Sequence, residues 1–342
     1  MTLRRSSRRV AAATSVLAIA TSLACPPASA ATRYQVTDLG TLGGNESDAI
    51  AMNARGTIVG FSTTAGVDSH YRAFASRGGA QVDLGGLSAD GDSFATALNA
   101  NDVAVGYAVA PDFNQHAVIY RQGQVVDIGA LRTDFLSSTA AGVNRASHVV
   151  GTGLSNVDYQ YHAFIYAHGA FRVLDPGSHA NAINDADQVT GSLFSAGIFV
   201  DHGVPTLIGT LGGSFSEGVA LNRGGTVTGW AATAGDAEIH AFTWRAGAIA
   251  DLGTLGGWQS RGEGIDTRGR VVGWSYRHVL DTRHAFLYRD GRMIDLNAAM
   301  DPVSGAGWEL VEATAIDDAG HIVGSGTHDG FYHAFLLTPT AE

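Results

Sequence analysis

Residues 251–257 read Asp-Leu-Gly-Thr-Leu-Gly-Gly, residues 264–273 read Gly-Ile-Asp-Thr-Arg-Gly-Arg-Val-Val-Gly, and residues 284–286 read His-Ala-Phe. The same three phrases return in the same order about every 44 residues along the chain. A fixed period of this size marks a repeat architecture, in which each unit buries its apolar face against its neighbours. Within this unit the pattern predicts four short strands, over 247–252, 262–266, 270–275 and 283–288. Each is rich in Val, Ile or aromatics and is bounded by glycine or polar turns. Asp290-Gly291, between two such runs, predicts a two-residue type I′ hairpin. Gly269 supplies the positive φ that returns the chain between the second and third strands.

Three columns run through the repeat. The Asp-Leu-Gly column begins at Asp38, Asp83, Asp127, Asp251 and Asp295, with worn copies at 173–175 and 207–209. The second column is Asn53, Asn99, Asn144, Asn184 and Asn222, then Asp266 and Asp317. It closes on Gly60, Gly106, Gly151, Gly191, Gly229, Gly273 and Gly324. The third is His-Ala-Phe, led by His162, His240, His284 and His333, with variants at His116-Ala117-Val118 and Arg72-Ala73-Phe74. It is degraded at 196–198, inside a short fourth unit spanning about 173–206. Each column counts to seven.

Four strands per unit, seven times, predicts an all-β protein folded as a seven-bladed β-propeller. The chain begins with a strand of the Asp-Leu-Gly type (34–39) and ends with one of the His-Ala-Phe type (334–337). These two types pair elsewhere, so pairing them across the termini closes the ring and leaves no open edge. The alternative is a β-solenoid, which favours shorter coils and distinct capping repeats.

Asp-Leu-Gly-Thr-Leu-Gly-Gly, the Asn column with its Val-Val-Gly, and His-Ala-Phe together resemble the HAF repeat family of extracellular bacterial proteins. The resemblance covers nearly the whole chain after residue 30. It implies secretion and repetition, and brings no catalytic residues with it.

The first thirty residues read differently. Arg4, Arg5, Arg8 and Arg9 precede an apolar run from Val10 to Leu23, and Ala28-Ser29-Ala30 offers a cleavage site. This order is a secretory signal, cut after Ala30. Ser7-Arg8-Arg9 also resembles a twin-arginine signal. Residues 31–342 then form one propeller domain, secreted to the periplasm, cell surface or medium. Cys25 is the only cysteine and leaves with the signal, so disulfides and thiolate chemistry are excluded. Without the four signal arginines, 17 basic residues face 32 acidic ones, and lysine is absent. Such a surface repels nucleic acid and anionic lipid. No run is long enough to span a membrane, and the chain reads as a monomer.

Among candidate site residues, the recurring histidines (His116, His162, His240, His284, His333) read as structural. Copies of one motif in different blades stand around a ring, whereas zinc needs its ligands about 2 Å from one centre; the expectation is no metal site. The Asn/Asp column reads as turn caps, since Asn bonds backbone two residues on. Trp230, Trp258, Trp274 and Trp308 are candidates for a sugar-stacking surface, beside a plain role in blade packing. Asp90-Gly91-Asp92 and 184–187 are candidate calcium loops, though neither matches an EF-hand. No nucleophile elbow, zinc helix or phosphate loop occurs. Glu217, Glu263 and Glu312 each stand three to five residues before the Asn/Asp column and read as solvated loop charges, with a place among active-site acids as the weaker reading. The reading is a secreted, non-enzymatic module that binds a protein or glycan, with no cofactor. The alternative is a carbohydrate-active hydrolase or lyase with acids at the propeller mouth. Inward-facing carboxylates gathered at one mouth favour the alternative.

Overall fold

The computed structural model describes residues 32–66, 69–278 and 282–340; the signal read at 1–30 lies outside the described residues. Seven antiparallel sheets of four strands follow one another. Blades 1 to 6 span 43–85, 93–127, 135–176, 178–207, 212–251 and 260–295, and blade 7 spans 308–339 plus Tyr34–Asp38. The innermost strands are Gly43–Met52, Ser93–Leu98, Phe135–Val143, Ser178–Ile183, Gly212–Leu221, Ser260–Ile265 and Trp308–Ile316. The first strand pairs with the last, from Tyr34↔Pro339 to Asp38↔Phe335. The ring is closed by its termini and the solenoid alternative is overturned.

In the sixth unit the strands are Ala248–Asp251, Ser260–Ile265, Val271–Tyr276 and Arg283–Arg289. Asp290 (φ 53°) and Gly291 (φ 75°) make the expected I′ turn. The short fourth unit is a full blade. It saves residues by joining Val189–Leu193 directly to Ala196–Asp201 through Phe194 and Ser195.

Apolar packing runs between blades. Phe74, Phe164, Phe242, Phe286 and Phe335, the aromatic ends of the His-Ala-Phe copies, are fully buried. Each contributes on the order of 1.5–3 kcal/mol by leaving water. At the seam, Val323 and Ala334 of blade 7 share a cluster with Ala49, Ile58 and Phe74 of blade 1.

Polar columns tie the blades together. Each Asn carbonyl oxygen caps its own turn, as Asn53 Oδ1 accepts from the amides of Arg55 (3.0 Å) and Thr57 (3.2 Å). Each Asn amide reaches the next blade's column carbonyl. Asn53 donates to Asn99, Asn99 to Asn144, Asn144 to Asn184, Asn184 to Asn222 and Asn222 to Asp266, at 2.9–3.2 Å. Asp266 cannot donate. Arg270 pairs with it at 2.5 Å and carries the link to the Asp317 carbonyl at 3.1 Å. A second column, missed in the sequence, is Ser47, Ser93, Ser138, Ser178, Ser216 and Ser260. Each hydroxyl accepts the third-strand N–H of the preceding blade at 2.8–3.0 Å. In blade 7, Asn297 replaces serine by bonding both main-chain groups of Leu310.

The closing glycines have a steric cause. A Cβ on Gly60, Gly106 or Gly273 would lie 1.9 Å from the carbonyl oxygen of Asp48, Phe94 or Arg261 on the innermost strand. Two residues beyond that carbonyl, every innermost strand is bulged, at Ile50, Thr96, Ala141, Asn181, Val219, Glu263 and Thr314. A bulge leaves one residue unpaired and re-aims its side chain, and all seven of these residues line the central channel.

Candidate functional site: a carboxylate-lined central channel

The bulged strands enclose a cavity of about 650 Å³ on the ring axis, lined by residues from all seven blades. Most of its wall is small or aliphatic. Thr96, Asn181 and Thr314 donate to the next blade's carbonyls at 2.7–2.9 Å. Glu263 occupies the same bulge position as these donors. Glu217 and Glu312 line the same cavity. They sit on the strand position that faces the residue after the closing glycine, a position held in blade 1 by Asp48 and in blade 6 by Arg261.

The ring thus brings acids from blades 1, 5, 6 and 7 into one electrostatic group. Burial raises the Glu263 carboxyl to about 7, and the charges of Glu312 and Glu217 add to it against Arg261 and the Trp274 indole. Burial also raises Asp48 to about 7, with Glu312 adding and the Ser325 hydroxyl and Arg283 opposing. Glu312 is raised by burial as well, against the pull of Arg283 and Arg261. Arg283 lies 3.6 Å from Glu312, and Asn181 donates to Glu217 at 2.9 Å. Asp48 Oδ1 is buried without a hydrogen-bond partner. Carboxyls raised this far by burial at the wall of a cavity make it the candidate functional site.

The tryptophans divide. Trp230 lines the channel, and Arg261 lies over its ring at 4.5 Å and over Trp274 at 5.4 Å. Arg283 covers Trp274 at 4.9 Å. Trp274 is buried at 6 % exposure, so it orients two arginines and offers no face to a sugar. Trp258, 39 % exposed, stacks on Tyr276 with 15° between the planes. Trp308 lies against His328, centroids 4.6 Å apart. The four candidates therefore do not form one stacking surface.

The column histidines are spread around the ring, each bonded across its own blade. His116, His240, His284 and His333 meet the carboxylates of Asp127, Asp251, Asp295 and Asp38 at 2.9 Å. His162, beside a worn copy, meets the Leu174 carbonyl at 3.0 Å. In the candidate calcium loops, Asp92 accepts from the Tyr71 amide, Asp185 from the Arg145 amide and Asp187 from Asn144.

Sequence reasoning singled out Glu217, Glu263 and Glu312 only as weak candidates and missed Asp48, Arg261 and Arg283. In each repeat these positions carry different residues, so no column flags them. A larger cleft of about 780 Å³ lies between blades 3 and 4, beside the short outer strand Val204–Leu207. Its wall is mostly aliphatic, with Arg172, Asp175 and Asp187 among the charged residues that line it.

No family model and no curated protein matches the chain. Among solved structures it is similar to a puromycin-hydrolyzing peptidase of Mycobacterium tuberculosis, with TM-score 0.56 and 11% identity over 88% of this chain and 52% of the peptidase. The chain thus spans about half the length of that protein. It is also similar to the β-propeller domain of the Trilobed protease from Pyrococcus furiosus (TM-score 0.49, 8% identity, 91% and 98% covered). A gluconolactonase from Xanthomonas campestris gives TM-score 0.42 and 13% identity, with 90% and 95% covered. At such identities the likeness concerns the fold alone. The class is a seven-bladed β-propeller closed by its terminal strands. Among the described residues, no helix is long and apolar enough to cross a membrane.

Proposed function

We propose that the protein is a secreted, monomeric member of the HAF repeat group that works on a glycan in its central channel, as a carbohydrate-active hydrolase or lyase. The observation that carries this is the group of Glu217, Glu263 and Glu312 around one cavity, with Glu263 raised to about 7 and Asp48, coupled to Glu312, raised likewise beside it. Glycoside cleavage needs one carboxyl that is protonated and one that is not. Glu263, whose carboxyl burial raises to about 7, is the proton donor. Glu312, beside Arg283, is the carboxylate that activates water or takes a sugar proton. Asp48 and Glu217 set the local field, and Trp230 with Arg261 shapes the wall. The test is a panel of polysaccharides incubated with the full chain, followed by reducing-end release and by the absorbance of unsaturated products. Turnover abolished by Glu263→Gln supports the reading. A bound glycan left intact by the unaltered protein moves the function to the second reading.

That second reading is glycan or protein binding without turnover. Trp258 favours it, as an exposed aromatic held flat by Tyr276 and ready to stack on a sugar face. It predicts that Trp258→Ala weakens binding while Glu263→Gln does not.

A further inference from the structure

We infer that the seam of the ring carries a zinc-class metal site formed by Asp38, His328 and His333. Among the described residues these three form the one group of His and carboxylate donors whose ligand atoms all lie within 4.8 Å of one another. Asp38 ends the first strand, while His328 and His333 flank the turn between the last two strands of blade 7. The site therefore ties the two ends of the chain together.

His333 and Asp38 repeat the His–Asp pair of the other blades. The difference is His328. Its Nδ1 lies 3.4 Å from the same carboxylate oxygen that His333 Nδ1 meets at 2.9 Å. Ligand atoms about 2 Å from a tetrahedral zinc are separated by roughly 3.3 Å, so a small rotation of the imidazoles admits the ion. The His328 ring is held flat against Trp308, 6° between planes, and its Nε2 faces the Asp329 carboxylate at 3.9 Å. All three donors are partly solvent-accessible, which gives the metal a way in and leaves a fourth position for water.

Blade 6 supplies the internal comparison. The residue four past its closing glycine, as His328 is four past Gly324, is Arg277. Its Nε lies 4.0 Å from Asp295, which His284 meets at 2.9 Å. Both blades direct two nitrogenous side chains at one aspartate. In blade 6 one of them is a fixed cation that cannot ligate; in blade 7 both are imidazoles. Imidazole and carboxylate donors suit zinc and its first-row neighbours.

The test uses untagged full-length protein stripped with chelator and titrated with zinc by calorimetry and with cobalt(II) by visible absorption. One equivalent of zinc per chain, a tetrahedral cobalt band and a raised melting midpoint are expected. His328→Gln should weaken zinc at least tenfold and remove the band, with the far-ultraviolet dichroism of the metal-free protein unchanged. Arg277→His, which leaves the blade 7 donors intact, should add a second equivalent. No binding by the unaltered protein, or binding unchanged by His328→Gln, overturns the site. Absence of a second equivalent in Arg277→His overturns the comparison on which it rests.

Discussion

The side-chain amide of Asn99 donates to the main-chain carbonyl of Asn144, one blade away, at 2.9 Å. Its carbonyl oxygen meanwhile holds the amides of Asn101 (2.8 Å) and Val103 (3.1 Å) in its own turn. One residue type thus caps a turn and fastens a neighbour, which explains a column of Asn better than turn preference alone. Asn99→Ala removes three bonds at a buried position. At about 1 kcal/mol for each bond, it should cost about 3 kcal/mol, read from denaturant unfolding.

Asp at the same column works in blade 6 because Arg270 carries the link onward. Asn222→Asp should therefore destabilise by about 2 kcal/mol, since it sets an acceptor against the Asp266 carbonyl. Adding Thr226→Arg, four residues on as Arg270 is from Asp266, should recover part of that loss. If the double variant is no more stable than Asn222→Asp, the relay through arginine is not the reason for the exception.

Gly106→Ala should disrupt the fold or cost more than 3 kcal/mol, because the new methyl would meet the Phe94 carbonyl at 1.9 Å. Gly123→Ala is the control. Its φ is +75° but nothing lies within 4 Å of a Cβ, so only the backbone penalty of about 1 kcal/mol applies. Comparison of the two melting midpoints separates close approach from backbone freedom.

Glu263 and Asp48 hold their protons more tightly in the folded chain, near 7, than their ordinary values of 4.5 and 3.8. Folding therefore takes up protons between about pH 4 and 7. The contribution of these groups is fully present below that range and is lost as pH rises through 7. Melting midpoints should fall from pH 5.5 to pH 8. Glu263→Gln should raise the midpoint at pH 8 by a few degrees, the scale of about 1 kcal/mol in a domain of this size, and change it little at pH 4.5.

Closure can be tested at Tyr34, 2 % exposed in the first strand and packed in the blade 7 core. Tyr34→Ala should cost about 3–5 kcal/mol, as for other buried aromatics. Tyr161→Ala, at a half-exposed tyrosine, should cost less than 1 kcal/mol.

The amino-acid sequence by itself determined the number of blades, their strands, the hairpin turns and the pairing of the chain ends. Each of these rests on local chemistry repeated around the ring: a glycine that admits a carbonyl in all seven units, an Asn that caps a turn in five and a Phe that fills a core in five. Even the blade that lost its His-Ala-Phe was countable, because its Asn and glycine remained. The serine column was equally regular, and its inter-blade bonds show why. The acids in and beside the channel were of another kind. Asp48, Glu217, Glu263 and Glu312 occupy positions where the repeats differ, so along the chain they look like substitutions in a pattern. Only the closed ring brings blades 1, 5, 6 and 7 around one axis, and only the bulges turn Glu263 inward. The same holds at the seam, where 290 residues separate Asp38 from His328. Repetition writes a fold locally, while a site gathers the departures from it, and their meeting is fixed by tertiary geometry.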